Sequence, residues 1–424
     1  MTKSLDKTTK TVEKAQLRII LLIIFIGFIG ASLPYPIFSP LFLTPTHNSI
    51  IPYEWDYISR SIWLGVVLAA YPLGQFLGSP ILGGCSDKYG RRIILMISLT
   101  ISALGHCFSA IAINYQSLSL LLTSRFLTGL MEGNIAIVQA MVGDLKFINK
   151  EESFGKISAI GSVGYVMGPL LGGIFSDSKI LSDFSYALPF YLATIISLVA
   201  LILTILKLYP ARTKNYDSHN SHISILERFN IFKRLYLLCT NKQLKYLLLA
   251  SVIYTFGVDT FYEFGPAFLT IFWSTSPVEI AIYNTVLCIG LVVGSRWLPN
   301  KLEFFISERK IILLAIISTG IAFLLITIIL NKILVLMLFG IAGIGIAVTT
   351  TKITIQISNV AHETVQGEAL GSQLGLRMLG NAIACSSGGF IIAQSATLPI
   401  IISSIFTVFA FGIYCQFTSK IYKM

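Results

Sequence analysis

Long apolar runs separated by short polar breaks repeat along the whole chain, near residues 16–41, 61–82, 92–113, 116–143, 154–176 and 184–208, then 244–273, 278–298, 310–330, 333–357, 367–392 and 396–418. Each reaches the roughly 20 residues that a helix needs to cross a bilayer's hydrocarbon core. They fall six and six about one long polar connection. The pattern predicts an all-α membrane protein with twelve transmembrane helices, a first six-helix half over 1–208, a linker over 209–243 and a second half over 244–424. The first run follows Lys3, Lys7, Lys10 and Lys14 and has no small-residue cleavage site, so it reads as a first spanning helix rather than a removable signal. Within the linker, Ile223, Leu226, Phe229, Ile231, Phe232 and Leu235 alternate with basic residues, which predicts an amphipathic helix on the inner leaflet.

Composition narrows the class. Of 424 residues, 54% are hydrophobic and only 12% charged, about half the charge of a soluble domain. Twelve spans leave too little chain for a folded soluble domain, so an enzyme is excluded and no cofactor is expected. The net charge of +11 would suggest nucleic acid in a soluble protein, but here its distribution sets topology and no nucleic-acid partner is expected. With the N-terminus in the cytosol, 25 of the 31 Lys and Arg residues fall on the inside and only Arg60, Lys179 and Lys332 outside. That is the positive-inside bias. It places both termini in the cytosol of a multi-pass protein of the bacterial inner membrane. The six cysteines show no Cys-x-x-Cys and no disulfide or metal pattern.

The break after span two reads Gly83-Gly84-Cys85-Ser86-Asp87-Lys88-Tyr89-Gly90-Arg91-Arg92. A tight turn between two spans needs a residue free to adopt positive φ, which Gly90 supplies. Asp87 can pair with an arginine or accept from a helix N-terminus. Here the chain resembles the major facilitator superfamily, whose signature in this loop is Gly-x-x-x-Asp-(Arg/Lys)-x-Gly-Arg-(Arg/Lys). Residues 71–80, with Tyr71 and Gln75, look like span two of its drug:proton antiporter branch, which includes tetracycline-efflux pumps. The resemblance implies two pseudo-symmetric six-helix bundles, a substrate site at the midplane between them, alternating access, and a gating role for Gly83, Asp87, Lys88, Gly90, Arg91 and Arg92. Span five carries Gly155, Gly164, Gly168-Pro169 and Gly172-Gly173. Such glycines let a neighbouring helix approach closely and the proline bends the span. They are similar to the branch's antiporter motif, which implies exchange and so export driven by inward proton flow. The loop after span eight, 294–301, lacks the Asp-x-x-Gly-Arg core, so gating on that side uses other contacts.

Charges inside spans are costly and face a partner or a cavity. Arg125 in span four stands where the family's proton-transfer arginine stands, with Thr128 in place of the usual glutamine. Glu132 lies seven residues on, on the same face, as a proton carrier or a counter-ion. A structural ion pair is the alternative. Asp259 and Glu263 in span seven share one face near the midplane, where two carboxylates cannot both ionise cheaply. They are the candidate coupling pair, unless Glu263 is simply solvated. In span eleven Arg377, about 15 Å deep, is the candidate for an anionic group of the substrate, or a partner of Asp259 or Glu263. Gln373, Tyr71 and Gln75 are further substrate-contact candidates. Lys352 either joins them or snorkels to the headgroups.

The function expected is secondary active transport of a small organic solute by a monomer, with proton-coupled export as the first reading. Export or uptake of a polar metabolite such as a carboxylate siderophore or an amino acid is the second, and a membrane sensor or assembly partner without transport is the third. The expected partners are a small-molecule substrate, protons and the lipid bilayer. No Gly-x-x-x-x-Gly-Lys motif is present, which argues against ATP drive.

Overall fold

Each apolar run becomes helix, and a polar residue ahead of several of them fixes where the helix starts. Asn241 Oδ1 accepts from the backbone N–H of Gln243 and Leu244 at 3.0 and 3.3 Å, and Asn331 Oδ1 from Ile333 and Leu334 at 2.9 and 3.2 Å. Such caps satisfy donors that the first turn leaves without a partner. Asp56 does the same for the third helix, accepting from Ser59 N–H at 3.1 Å, and its hydrogen bonds to Ser59 hold its carboxyl below the usual range.

The computed structural model describes residues 2–44, 50–52, 54–132, 134–143, 150–178, 180, 185–208, 241–296, 298–361 and 366–421. All regular elements among them are helices: α1 Thr2–Ser32, α2 Phe38–Leu43, α3 Tyr57–Tyr89, α4 Arg91–Asn114, α5 Leu118–Met131, α6 Asn134–Gly143, α7 Lys150–Phe175, α8 Leu188–Lys207, α9 Lys242–Trp273, α10 Pro277–Arg296, α11 Leu298–Leu302, α12 Glu308–Ile328, α13 Lys332–Val360, α14 Gln366–Gln394 and α15 Leu398–Ile421. Ten are long and apolar enough to cross a membrane. Shorter apolar helices at Leu118–Met131 and Ala159–Phe175 fall at spans four and five, which completes the expected twelve and the all-α class. Span four, read as one run, is broken: α5 ends at Glu132, whose N–H turns back to Thr128 O and Gly129 O at 3.0 and 3.1 Å. The linker and its expected amphipathic helix lie outside the described residues.

The chain divides into two compact units, one of Met1–Ile37 and Ala70–Phe229, the other of Phe38–Ala69 and Asn230–Met424. The segment 38–69 thus groups with the second unit, where the hydropathy pattern assigns it to the first half. Its contacts give the reason. α2 packs on α9, and Tyr57 Oη donates to Ile392 O at 3.0 Å. A Cβ at Gly65 would lie 2.6 Å from the Cys385 carbonyl oxygen, so this part of α3 meets α14 backbone to backbone.

Lipid tails are as apolar as leucine, so helices associate in a bilayer through close packing and a few polar contacts rather than hydrophobic burial. In the first unit α1 packs on α7 and α8, and α4 on α5 and α8, with Ser109 and Ser124 hydroxyls 2.8 Å apart between α4 and α5. In the second, α10 packs on α13 and α9 on α14 and α15. Tyr254 Oη and Thr319 Oγ1 lie 3.1 Å apart between α9 and α12. Contacts of this kind contribute about 0.6 kcal/mol each.

Candidate functional site

α9 carries Ser251, Thr255, Asp259 and Glu263 at four-residue intervals, and α14 carries Gln373, Arg377, Asn381 and Cys385 at the same interval. Residues four apart share a helix face, so each helix has one polar stripe, and the two stripes meet. Arg377 grips Asp259 at two points, Nε to Oδ2 at 3.1 Å and Nη2 to Oδ1 at 2.8 Å. One turn on, Asn381 Nδ2 donates to Glu263 Oε1 at 3.4 Å, and Cys385 Sγ donates to Asn381 Oδ1 at 3.1 Å. One turn back, Gln373 Nε2 donates to Ser251 Oγ at 2.7 Å and to Thr354 Oγ1 of α13 at 3.1 Å. Numbers rise together on both helices, so the pair runs parallel.

The burial is one-sided: the Asp259 side chain is 5% exposed and that of Arg377 42%. A two-point charge-assisted pair is among the stronger polar contacts, and it offsets the repulsion between the Asp259 and Glu263 carboxylates that the sequence pattern predicts. Arg377 is thus paired with Asp259 while its side chain stays 42% exposed. Ser251, Thr354, Asn381 and Cys385 escaped the sequence reading. Stepping four residues at a time from Asp259 and Arg377 would have found all but Thr354.

Lys352 is placed differently. It pairs with Glu303, in the connection after α11, and its side chain is 13% exposed. One turn on, Gln356 Oε1 accepts from Tyr414 Oη of α15 at 3.0 Å. These contacts tie α13 to its neighbours at the helix ends. Reversing the charge in Lys352→Glu should lower the thermal midpoint of the purified protein by the worth of about 1 kcal/mol. Adding Glu303→Lys should restore it; a double variant as unstable as the single would show that the pair contributes nothing.

In the first unit, Arg125 on α5 is buried and its guanidinium lies 4.7 Å from the centre of the Tyr71 ring. The contact exists because glycines bring α3 and α5 together: a Cβ on Gly74, Gly78 or Gly129 would run into backbone of the facing helix. Glu132, the residue capping α5, is buried within the field of Arg125. So is His106 of α4, whose Nδ1 makes no hydrogen bond among the described residues. A lone histidine in span three carries no motif, and the sequence reading passed over it. Gln75 is half-buried one turn beyond Tyr71.

The turn between α3 and α4 is made by Gly90 at φ 96°. Asp87 and Arg91 lie 3.6 Å apart across it, and Lys88 sits 5.2 Å over the Tyr89 ring. Arg92 reaches to α8, donating from Nη2 to Ile205 O at 2.6 Å and from Nε to Thr204 O at 3.4 Å. These are carbonyls of the last turn, where a cation is favoured. A Cβ on Gly83 would meet nothing within 4 Å. In α7 the glycine stripe faces α1: Gly164 lies against Phe28, Gly168 against Ser32 and Ile29, and Gly172 against Leu33. Pro169 lies inside the helix and Gly173 is buried, while the surroundings of Gly155 fall outside the described residues.

A family model described as Major Facilitator Superfamily matches residues 20–386. Among curated proteins, the chain is 25% identical over 393 residues to Multidrug resistance protein 1 of Bacillus subtilis, covering 92% of each. It is 23% identical over 380 residues to Quinolone resistance protein NorA of Staphylococcus aureus, covering 89% of this chain and 90% of that one. Among solved structures, a bacterial homologue of the human lysosomal transporter Spinster superposes with a TM-score of 0.72 at 15% identity, over 97% of this chain and 98% of that one. The POT family transporter PepTSo does so with a TM-score of 0.72 at 13% identity, over 96% and 98%.

Proposed function

The chain belongs to the Major Facilitator Superfamily, and on that premise we propose that it exports a small organic solute against inward proton flow, with the α9–α14 stripe as its coupling and binding face. It is a transporter and not an enzyme, working by alternating access. The multidrug and quinolone resistance names of its relatives favour a drug-like solute. The positive-inside count supports cytosolic termini in the bacterial inner membrane, and the reading takes the monomer as the working unit.

The observation that carries the coupling is the two-point Arg377–Asp259 pair with Glu263 one turn away. Ionised groups within a span are expensive and are kept for function. Exchange requires proton and substrate to occupy the stripe in turn: with its carboxylates ionised the site takes substrate from the cytosol, and after outward release a proton from outside loads Asp259 or Glu263 for the return. That proton leaves to the cytosol as the Arg377–Asp259 pair re-forms, and the part-exposed Arg377 side chain is the contact for a polar group of the substrate. Glu263, held by the neutral Asn381 amide, is the second station. Arg125 and Glu132 form the alternative path.

The test is a reconstituted transporter under an imposed pH gradient, with a fluorescent quinolone as probe. Asp259→Asn with Glu263→Gln should still bind the probe but lose accumulation against its gradient, while Glu132→Gln keeps part of it. Accumulation retained by the double variant and lost in Glu132→Gln would move the proton path to α5.

A further inference from the structure

The connection between α10 and α12 has two faces of opposite character. Leu298, Leu302 and Ile306 point inward and pack against Ile311, Ala315 and Val348. The turn after α11 is closed by backbone bonds from Phe305 N and Ile306 N to Leu302 O at 2.9 and 3.0 Å, so it is a built turn. On its other face stand Phe304 and Phe305, 87% and 84% exposed. No other pair of adjacent aromatic residues is so exposed among the described residues. The core is complete without them, and two phenyl rings held in water are a cost with no structural return.

Three observations say what covers them. The turn joins two helices long and apolar enough to span, so it stands at a membrane surface. The exposed apolar side of α12, with Leu314, Ile317 and Ile321, continues along the helix that the turn leads into. Lys301, Arg309 and Lys310 flank the rings, against Glu308 and against Glu303, which is engaged by Lys352. Aromatic rings settle at the boundary between headgroups and acyl chains, and basic residues beside them are drawn to anionic lipid.

We propose that the Phe304–Phe305 turn is a membrane anchor that inserts its two rings into the adjoining leaflet, with Lys301, Arg309 and Lys310 on anionic headgroups. The anchor also fixes Glu303, and through the Lys352 pair it joins the surface of the leaflet to α13.

The experiment uses the full chain in vesicles of phosphatidylcholine with and without phosphatidylglycerol. Phe304→Trp and Phe305→Trp each add an indole whose emission is read as the difference from the parent. Lipids brominated near the top of the acyl chain should quench that added emission about two-fold, and aqueous iodide should leave it unchanged. Quenching by iodide alone places the turn in water, and protection from both places it under protein, such as a second copy or the central linker; either overturns the anchor. The lipid charge is tested separately with Lys301→Gln, Arg309→Gln and Lys310→Gln together. Phosphatidylglycerol should raise the thermal midpoint of the parent more than that of the triple variant. An equal rise in both removes the headgroup part of the proposal.

Discussion

Arg377→Ala should abolish transport and destabilise the second unit by about 2–3 kcal/mol. A fully buried pair that loses its cation costs about 3–5 kcal/mol, because the stranded charge has nothing to replace it. Here Asp259 is enclosed but Arg377 is 42% exposed, so water can enter from the Arg377 side and reduces the cost. The sign of the effect separates a charge argument from a packing one. Asp259→Asn added to Arg377→Gln leaves no charge at this rung, and the protein should regain most of its thermal midpoint while transport stays lost. Arg377→Lys, which keeps the charge but not the two-point geometry, should fall between. A variant Arg377→Ala with parental midpoint and parental flux would remove the pair from both stability and mechanism.

Gly168→Leu should fail at assembly rather than at transport. A Cβ at this position already lies 2.7 Å from the Ile29 carbonyl oxygen and against the Ser32 hydroxyl, and backbone cannot step aside as a flexible side chain would. Overpacking a well-filled site costs about 1–3 kcal/mol; with α1 as the obstacle the upper end applies, and the yield of folded protein should drop several-fold. Gly412→Leu is the matched control, since nothing lies within 4 Å of its Cβ direction. If Gly168→Leu folds with the parental midpoint and only flux is lost, the stripe acts in exchange, as the antiporter resemblance implies, and its packing on α1 is incidental.

Spanning helices were legible in the sequence because a bilayer demands length and apolarity together, and neither needs a partner to be recognised. The break in span four was not, since Glu132 stands in a run that stays apolar on both sides. Nor was the grouping of 38–69, which depends on Gly65 meeting Gly389 more than 300 residues away. At the site, Asp259, Glu263, Arg377 and Gln373 stood out as charge or amide in apolar surroundings. Asn381 and Ser251 are the kind of small polar residue that spans tolerate anywhere, so only helix adjacency reveals them. Lys352 was legible as a cation near a helix end, but its partner Glu303 lies outside every apolar run and could not be paired with it in advance.

The stripes on α9 and α14 repeat every four residues, a step of about 6 Å along the axis. Sliding α14 by one such step along α9 carries Arg377 from Asp259 towards Glu263. Midway, the guanidinium with its five donors reaches both carboxylates. A displacement of α14 along α9 therefore strands no charge, since the cation is handed from one carboxylate to the next.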